Sequence, residues 1–264
     1  MEDKHSLKGK VAVVTGSSSG IGAAIALELA ASQAHVIVHA RSNQAEGERV
    51  VAAVREHGVE STLMLADISD PIACQRFIDE AWQWREGVDI WINNAGADVL
   101  TGEYVSLSFE DKLEVLWQVD VLGTIRLSRL AGERMNQEAG VIINVGWDQA
   151  ATGMEGDSGE MFSTSKGAIM AFTRSLARSL APNVRVNCVA PGWIKTAWGE
   201  QSSDYWNRRA EQESLLGRWG TPQDVAQVVG FLVSPAARFI TGEILPVNGG
   251  FVGSATGPST DEQA

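Results

Sequence analysis

The sequence is poor in cysteine, in positive charge and in long apolar runs. Two cysteines in 264 residues, Cys74 and Cys188, are too few for a disulfide scaffold. Lysine and arginine number 21 against 33 acidic residues, and the net charge of −12 repels phosphate backbones and anionic lipids. Apolar runs such as Val11–Val14 are too short to span a bilayer, and Met1–Lys10 does not resemble a signal peptide. We expect a cytoplasmic protein with no nucleic-acid and no membrane partner.

The remaining composition is that of an ordinary globular protein. Hydrophobic residues make up 44% of the chain and charged residues 20%, which excludes wholesale disorder, a collagen-like repeat and a coiled-coil rod. A single α/β sheet protein routinely fills this length. We therefore expect one domain over residues 1–264.

Between Lys10 and Gly192, short Val/Ile-rich runs alternate with longer helix-like segments. This rhythm predicts a doubly wound α/β fold of the Rossmann type, with a parallel sheet covered on both faces. The predicted strands are Val11–Thr15, His35–Ala40, Ser61–Ala66, Ile90–Asn93, Val141–Val145, Arg185–Ala190 and Glu243–Val247. The predicted helices are Ile21–Ser32, Gln44–His57, Pro71–Trp84, Phe109–Met135, Ser163–Leu180 and Thr221–Leu232.

Two segments do not follow this rhythm. Lys195–Trp219 is rich in tryptophan and charge, and its position after the sixth strand predicts a substrate lid over residues 195–219. The tail Gly253–Ala264 is small and polar, so we expect it to fray unless a neighbouring subunit holds it.

The first predicted strand ends in the glycine-rich sequence Thr15-Gly16-Ser17-Ser18-Ser19-Gly20-Ile21-Gly22, which runs straight into a helix. Glycine permits a tight turn with positive φ and a close approach of the backbone to a pyrophosphate. The unpaired N–H groups at the helix N-terminus then meet the phosphate charge. A plain Gly/Ser turn is the alternative, but a strand before the turn and a helix after it favour a dinucleotide site.

The chain here resembles the classical short-chain dehydrogenase/reductase superfamily, from about Leu7 to Gly250. The supporting motifs are Gly-x-x-x-Gly-x-Gly, Asp67 after the third strand, Asn93-Asn94-Ala95-Gly96 after the fourth, and Pro191-Gly192-Trp193-Ile194-Lys195-Thr196 after the sixth. The resemblance implies that Asp67 meets the adenine, Asn93 and Gly96 line the cofactor groove, and Thr196 touches the nicotinamide amide. The cofactor-binding residues that it implies are Gly16, Ser18, Ser19, Gly20, Ile21, Gly22, Asp67, Ile68, Asn93, Ala95, Gly96, Lys166, Pro191, Gly192, Ile194 and Thr196.

The end of the second strand indicates which nicotinamide cofactor is bound. An NAD enzyme places a carboxylate there to bind the ribose hydroxyls, but this chain has Ala40, followed by Arg41 and Ser42. Arg41 can bind a 2′-phosphate through its forked guanidinium, and Ser42 or Asn43 can add a neutral hydrogen bond. A solvated surface arginine is the alternative. We expect NADP(H), with Arg41 and Ser42 among its ligands.

The superfamily's catalytic set of Asn, Ser, Tyr and Lys is incomplete. Phe162 holds the tyrosine position four residues before Lys166, the serine position falls on Gly146 or Trp147, and Asp120 aligns with the asparagine. Only Lys166 matches, and the resemblance implies that it binds the nicotinamide ribose. The chain's two tyrosines, Tyr104 and Tyr205, lie outside the helix that would aim one at the nicotinamide.

Acidic residues surround this gap, and no lysine or arginine lies between the end of the fifth predicted strand and Lys166. One interpretation is a solvated acidic loop; the other is a carboxylate in the nicotinamide pocket that does acid–base or charge-stabilising work, with a pKa raised by burial. The candidate catalytic residues are Lys166, Asp120, Asp148, Asp157 and Glu160, with Glu155 nearby. Because no histidine lies close, we expect no metal site.

Two functions fit this pattern. The first is an NADP(H)-dependent oxidoreductase with a non-standard site, acting on a small cationic or ring-shaped substrate. The tryptophans Trp147, Trp193, Trp198 and Trp206 stack on rings and attract cations where they face the pocket; the alternative is that they fill the core or an interface. The alternative is a catalytically inactive NADP(H)-binding protein that acts as a sensor or partner subunit. The resemblance also implies a homotetramer or homodimer paired through Phe109–Met135 and Ser163–Leu180.

Overall fold

The fold is built on a parallel sheet. The computed structural model describes residues 6–135, 139–196, 199 and 202–253. Within them, seven strands pair in parallel in the order β3-β2-β1-β4-β5-β6-β7. The strands are β1 (Val11–Val14), β2 (His35–Ala40), β3 (Ser61–Leu65), β4 (Ile90–Asn93), β5 (Gly140–Val145), β6 (Val184–Pro191) and β7 (Ile244–Val247). The predicted doubly wound α/β fold is confirmed.

Helices cover both faces of the sheet. They are α1 (Gly20–Ala31), α2 (Gln44–Arg55), α3 (Pro71–Trp84), α4 (Phe109–Leu116), α5 (Thr124–Met135), α6 (Gly156–Leu180), α7 (Asp204–Gln212) and α8 (Pro222–Val233). None of the described helices is long and apolar enough to cross a membrane.

Strand β1 shows why the strands are apolar throughout. Successive side chains of a strand point to opposite faces. Ala12 and Val14 pack in the core layer with α1 and α8, whereas Val11 and Val13 pack in the layer with α3, α5 and α6, and all four are buried. An uninterrupted Val/Ile run is therefore the pattern of a strand covered on both faces.

The sheet reverses its winding between β1 and β4. These two strands are neighbours, although β2 and β3 lie between them in the sequence. In an open parallel sheet, the crevice at the carboxyl ends of the strands at such a reversal is where ligands bind. The glycine-rich turn after β1 and the Asn93–Gly96 segment after β4 therefore meet at this crevice.

The predicted helix Phe109–Met135 is helical along its length, but its middle is not a regular α-helix. Residues Trp117–Gly123 form a π-helical segment between α4 and α5. Such a bulge inserts residues into the regular turn and commonly marks a functional site. Here it carries Asp120, whose side chain is turned into the protein.

The region before the predicted helix Ser163–Leu180 is also helical, because α6 begins at Gly156. Asp157 and Glu160 therefore lie in the first turns of a helix and not in a loop. Carboxylates favour this position because the helix N-terminus carries a partial positive charge. The predicted lid likewise contains a helix, α7, that the sequence reading did not separate from its surroundings.

Candidate functional site

The glycine-rich turn between β1 and α1 is packed against the loop after β4. Gly16 has φ +61°, and a Cβ built on it would lie 2.7 Å from Cα of Ala95. A Cβ on Gly22 would lie 2.3 Å from the carbonyl oxygen of Gly16. Both distances are shorter than van der Waals contact, so this turn accepts only glycine at these two positions.

The other side of the same turn is less tightly packed. Among the described residues, a Cβ built on Gly20, which has φ +55°, would meet only the Cγ2 of Thr196 within 4 Å, at the van der Waals distance of 3.9 Å. Ser19, the N-cap residue of α1, makes no side-chain capping bond to the described helix, and Ser19 and Gly20 are exposed. The N-terminus of α1 therefore lies beside Thr196 and has backbone donors suited to an anion. Ser18 and Ile21 next to it are partly exposed.

His39, near the end of β2, supports the glycine-rich turn from below. Its Nδ1 accepts a hydrogen bond from the backbone N–H of Gly16 at 3.0 Å, so Nε2 carries the proton and donates to the carbonyl of Ala66 at 3.0 Å. Burial lowers the pKa of His39 to about 4, which keeps the ring neutral at pH 7. Sequence reasoning missed this role; the available signal was a histidine inside an otherwise apolar strand.

Arg41, two residues after His39, forms hydrogen bonds to two side chains of the protein. Its Nη2 donates to Oε1 of Glu103 at 2.8 Å, and its Nη1 donates to the hydroxyl of Tyr104 at 2.9 Å. Ser42 is exposed beside it, and Asn43 caps α2 by accepting from the N–H of Glu46. Arg41 thus lies at the predicted position, with two partners that the sequence reading did not anticipate.

Asp67 and Ile68 follow β3 on the same edge of the sheet. The Oδ1 of Asp67 accepts from both the N–H and the hydroxyl of Ser69, at 2.9 and 2.6 Å. Burial opposes ionisation of Asp67, but the Ser69 hydrogen bonds outweigh it and the pKa is lowered. Oδ1 is therefore engaged within the turn. Ile68 is buried.

Asn93 is turned into the core rather than toward the crevice. Its amide donates to the Ser128 hydroxyl at 2.8 Å and to the Asn144 side chain at 2.9 Å, and its oxygen accepts from the Trp91 indole. Such a satisfied buried network fixes strand ends. The next residue, Asn94, donates to the carbonyl oxygens of the glycine-rich turn, so this side chain holds the two loops together.

Lys166 and Asp120 form a buried ion pair. The Lys166 ammonium lies 2.8 Å from Oδ2 of Asp120, with the side chains 15% and 2% exposed. Oδ1 of Asp120 accepts from the N–H of Ala97 at 2.8 Å, and a Cβ built on Gly96 would lie 3.0 Å from Oδ2. The π-helical segment thus brings Asp120 beneath the loop after β4 and against α6.

Two aromatic residues lie near the positions where the resemblance implies hydroxyl groups: Phe162 at the implied tyrosine position, and Trp147, which with Gly146 is one of the two candidates for the serine position. The rings of Trp147, after β5, and Phe162, on α6, have centroids 6.3 Å apart at an interplanar angle of 71°. This edge-to-face arrangement is a favourable aromatic contact. Phe162 also packs against the apolar cluster of Val99, Leu116 and Met161. The surface that Trp147 and Phe162 form together is therefore apolar.

Asp148, directly after Trp147, is buried and has no cation among the partners that the described residues supply. Its Oδ2 accepts from the amide of Asn248 at 3.0 Å, and Oδ1 accepts from the N–H of Gln149 at 2.8 Å. A Cβ built on Gly192 would lie 3.1 Å from Oδ2. Burial raises the pKa of Asp148 to about 6, which these hydrogen bonds only partly offset.

The remaining predicted carboxylates lie outside this interior. Asp157 and Glu160 are exposed on the first turns of α6. Glu155 lies at the start of α6 and forms an ion pair with Arg209 at 2.7 Å. The sequence reading grouped these residues with Asp148 and Asp120, but the structure separates them by burial. Among the described residues, no cluster of three acidic, cysteine or histidine side chains is suited to a metal ion.

The described part of the predicted lid is joined to the body of the protein through Arg209 of α7. Arg209 also pairs with the buried Glu213 at 2.7 Å and lies over the rings of Trp193 and Trp206, 5.8 and 5.4 Å from their centroids. Trp193 follows the predicted cofactor residues Pro191 and Gly192 at the end of β6, and the buried Ile194 comes next. Trp198 lies outside the described residues.

Comparison with known proteins is consistent with this geometry. The family model described as Enoyl-(Acyl carrier protein) reductase matches residues 16–252. The 3-oxoacyl-(acyl-carrier-protein) reductase FabG of Aquifex aeolicus (strain VF5) is 38% identical, with 92% of this chain and 98% of the relative covered. Tropinone reductase-like 3 of Erythroxylum coca is 32% identical over 92% of this chain and 93% of its own.

Solved structures share the same fold. A 7α-hydroxysteroid dehydrogenase complexed with NADH and 7-oxo glycochenodeoxycholic acid superposes with a TM-score of 0.87 at 30% identity, over 97% of this chain and 99% of that chain. A short-chain dehydrogenase from Burkholderia cenocepacia J2315 in complex with NADP gives a TM-score of 0.85 at 32% identity, over 92% and 98%.

Proposed function

Because the chain belongs to the short-chain dehydrogenase/reductase superfamily, we propose that it is an NADP(H)-dependent oxidoreductase whose reaction site lacks the superfamily's serine and tyrosine. One observation supports this proposal: Lys166 forms an ion pair with the buried Asp120, and an apolar aromatic contact between Trp147 and Phe162 lies where the resemblance implies hydroxyl groups. In this proposal the site retains the lysine of the superfamily, has gained a carboxylate and has lost its two hydroxyl groups.

The crevice residues fit a nicotinamide dinucleotide. The N-terminus of α1, where Ser19 and Gly20 are exposed, suits a pyrophosphate. When bound, the cofactor supplies or accepts a hydride. Lys166 would bind its nicotinamide ribose, and Asp120 would orient Lys166 from below. Solved relatives with NADH and with NADP support this class of ligand.

The choice of NADP(H) over NAD(H) rests on the end of β2. No carboxylate follows this strand before Arg41, and Ala40 is buried. A guanidinium can form two charge-assisted hydrogen bonds to a 2′-phosphate, whereas NAD(H) offers no charge there. Calorimetric titration tests this choice, because tighter binding of NADH than of NADPH would contradict it.

The substrate that this site favours needs no proton from the protein as hydride arrives. A ketone reductase without its tyrosine acid would lose about 10²–10⁴-fold in rate. An iminium or similar cationic ring escapes this loss, since hydride transfer alone neutralises it. Aromatic rings such as those of Trp147 and Phe162 attract a flat cation, and a carboxylate such as Asp148 would stabilise its charge.

The test is a screen of ketones, iminium compounds and reducible heterocycles, with NADPH consumption as readout. On the best substrate, Asp120→Asn or Asp148→Asn should reduce turnover at least 10²-fold. NADPH affinity should stay unchanged in Asp148→Asn, whereas Asp120→Asn also removes the ion-pair partner of Lys166 and should weaken it. The controls Asp157→Asn and Glu160→Gln neutralise exposed carboxylates on α6. Cofactor binding without turnover across the whole screen would favour the alternative, an inactive NADP(H)-binding protein.

Three further features belong to this proposal. Residues 195–219 act as a substrate lid, which the Arg209–Glu155 ion pair connects to α6. The chain forms a homotetramer or homodimer through α4, α5 and α6, which light scattering at micromolar concentration tests. Its location is the cytoplasm, which suits the free, buried thiols of Cys74 and Cys188.

A further inference from the structure

The arginine that our proposed function assigns to the 2′-phosphate is already bound by an anion of the protein itself. Glu103 accepts from Nη2 of Arg41 at 2.8 Å, and Tyr104 accepts from Nη1 at 2.9 Å. Both partners belong to the short 3-10 turn Gly102–Tyr104 in the loop after β4. Both terminal nitrogens of the guanidinium therefore already have a partner in the protein.

The position of this turn is built into the fold. Tyr104 packs against the apolar cluster of Val99, Leu116 and Met161. Asp98 accepts hydrogen bonds from the N–H groups at the start of the same loop, including that of Leu100 at 2.9 Å. The packing of Tyr104 and the hydrogen bonds to Asp98 both hold this loop in place. The position of Glu103 beside Arg41 therefore depends on packing as well as on charge.

A phosphate and a carboxylate compete for the same guanidinium. The Arg41 hydrogen bond lowers the pKa of Glu103, so this carboxylate is ionised at neutral pH. A 2′-phosphate placed on the same fork would bring a second anion next to it, and the like charges repel. NADP(H) must displace Glu103 to use Arg41 fully, whereas NAD(H) carries no phosphate there and leaves the pair intact.

We propose that Glu103 is a specificity-determining residue that reduces the preference for NADP(H) over NAD(H) by competing with the 2′-phosphate for Arg41. This inference rests on the proposed function, in which Arg41 binds that phosphate. The Arg41 and Glu103 side chains are 52% and 61% exposed. Exposed pairs are screened by water, so the competition changes affinity by less than about tenfold.

The central experiment is calorimetric titration of Glu103→Gln with NADPH and with NADH. The substitution keeps the size of the side chain and removes its charge. We expect the NADPH dissociation constant to fall about threefold to tenfold and the NADH constant to stay within about twofold. Glu80→Gln is the matched control, because Glu80 is a similarly exposed partner of Arg76 on α3 and lies at 3.7 Å. The control should change neither affinity.

The variant Arg41→Ala separates failure of this inference from failure of the proposed function. If Arg41→Ala leaves NADPH binding unchanged, both proposals are overturned. If it weakens NADPH binding at least tenfold while Glu103→Gln does not tighten it, only the role of Glu103 is overturned. In the Arg41→Ala background, the increase in NADPH affinity caused by Glu103→Gln should be less than half as large on a logarithmic scale. An increase as large as that in the parent chain would show that Glu103 does not act through Arg41, and would also overturn the inference.

Discussion

The ammonium of Lys166 lies 2.8 Å from a carboxylate oxygen of Asp120 that is almost completely shielded from water. The same carboxylate accepts the N–H of Ala97, so one side chain links α6, the π-helical segment and the loop after β4. An asparagine could keep the backbone hydrogen bond but could not neutralise the lysine. The pair therefore depends on the charge of Asp120.

The first prediction is that Asp120→Asn destabilises the protein by about 2–4 kcal/mol, because it leaves the Lys166 charge partly buried without a counter-ion. Urea unfolding measures the change. The control is a double-mutant cycle with Lys166→Met, in which the Asp120→Asn cost should be smaller by at least about 1 kcal/mol. Strictly additive costs would show that the two charges do not stabilise each other.

Much of the sheet was predictable because its physical cause is local. A run such as Val11–Val14 is apolar at every position since both faces of the strand are buried. The helix α3 begins where the sequence indicates, since Asp70 caps it and Pro71 occupies its first position. Most other bounds differ by one or two residues, but α6 begins at Gly156, seven residues before the predicted start at Ser163.

The site was less predictable because its contacts join distant segments. The alignment of Lys166 and Asp120 could be inferred from the resemblance, but their ion pair depends on a π-helical turn that no periodicity indicates. The partners of Arg41 lie 62 and 63 positions away in the chain. The buried and exposed carboxylates have the same chemistry in the sequence, so only packing distinguishes Asp148 from Asp157.

The second prediction concerns the pH dependence of stability through Asp148. Its pKa in the folded protein, about 6, is above the usual 3.8, so the folded state binds the proton more tightly. The contribution of Asp148 to the free energy of unfolding is therefore fully present below about pH 3.8, and it is lost as the pH rises through about 6. Asp148→Asn should therefore gain roughly 1–3 kcal/mol relative to the parent chain between pH 5 and pH 8.

Chemical denaturation at a series of pH values measures this difference. Asp157→Asn is the control, because its carboxylate is exposed and should show no comparable pH-dependent gain. A stability difference between Asp148→Asn and the parent chain that is constant from pH 5 to pH 8 would contradict the raised pKa.

The third prediction concerns His39, whose neutral ring joins the glycine-rich turn to the end of β3. His39→Leu leaves the N–H of Gly16 and the carbonyl of Ala66 without their partner, and should cost about 2–4 kcal/mol. It should also weaken binding of both NADPH and NADH, because the turn loses its support. Calorimetry and urea unfolding test the two effects.

The sign of the His39 pH effect is opposite to that of Asp148. Its folded pKa of about 4 lies below the usual 6.5, so its stability contribution is present above pH 6.5 and lost as the pH falls toward 4. Because leucine does not titrate, His39→Leu should remove the part of the acid-induced decrease in stability that comes from this ring. An unchanged acid limb in the variant would show that the ring is not held neutral.

The fourth prediction is that Phe162→Tyr alone changes ketone reduction by less than about tenfold. The new hydroxyl would stand beside the indole of Trp147, which has no hydroxyl to polarise a carbonyl, and Lys166 would remain held by Asp120. The combined variant Trp147→Ser, Phe162→Tyr, Asp120→Asn supplies the full superfamily set and should raise ketone reduction by at least about 10²-fold. Trp147→Ser alone is the control for the cavity that loss of the indole creates. A 10²-fold gain from Phe162→Tyr by itself would show that the site is an ordinary carbonyl reductase lacking one acid, and the specialised site proposed above would be wrong.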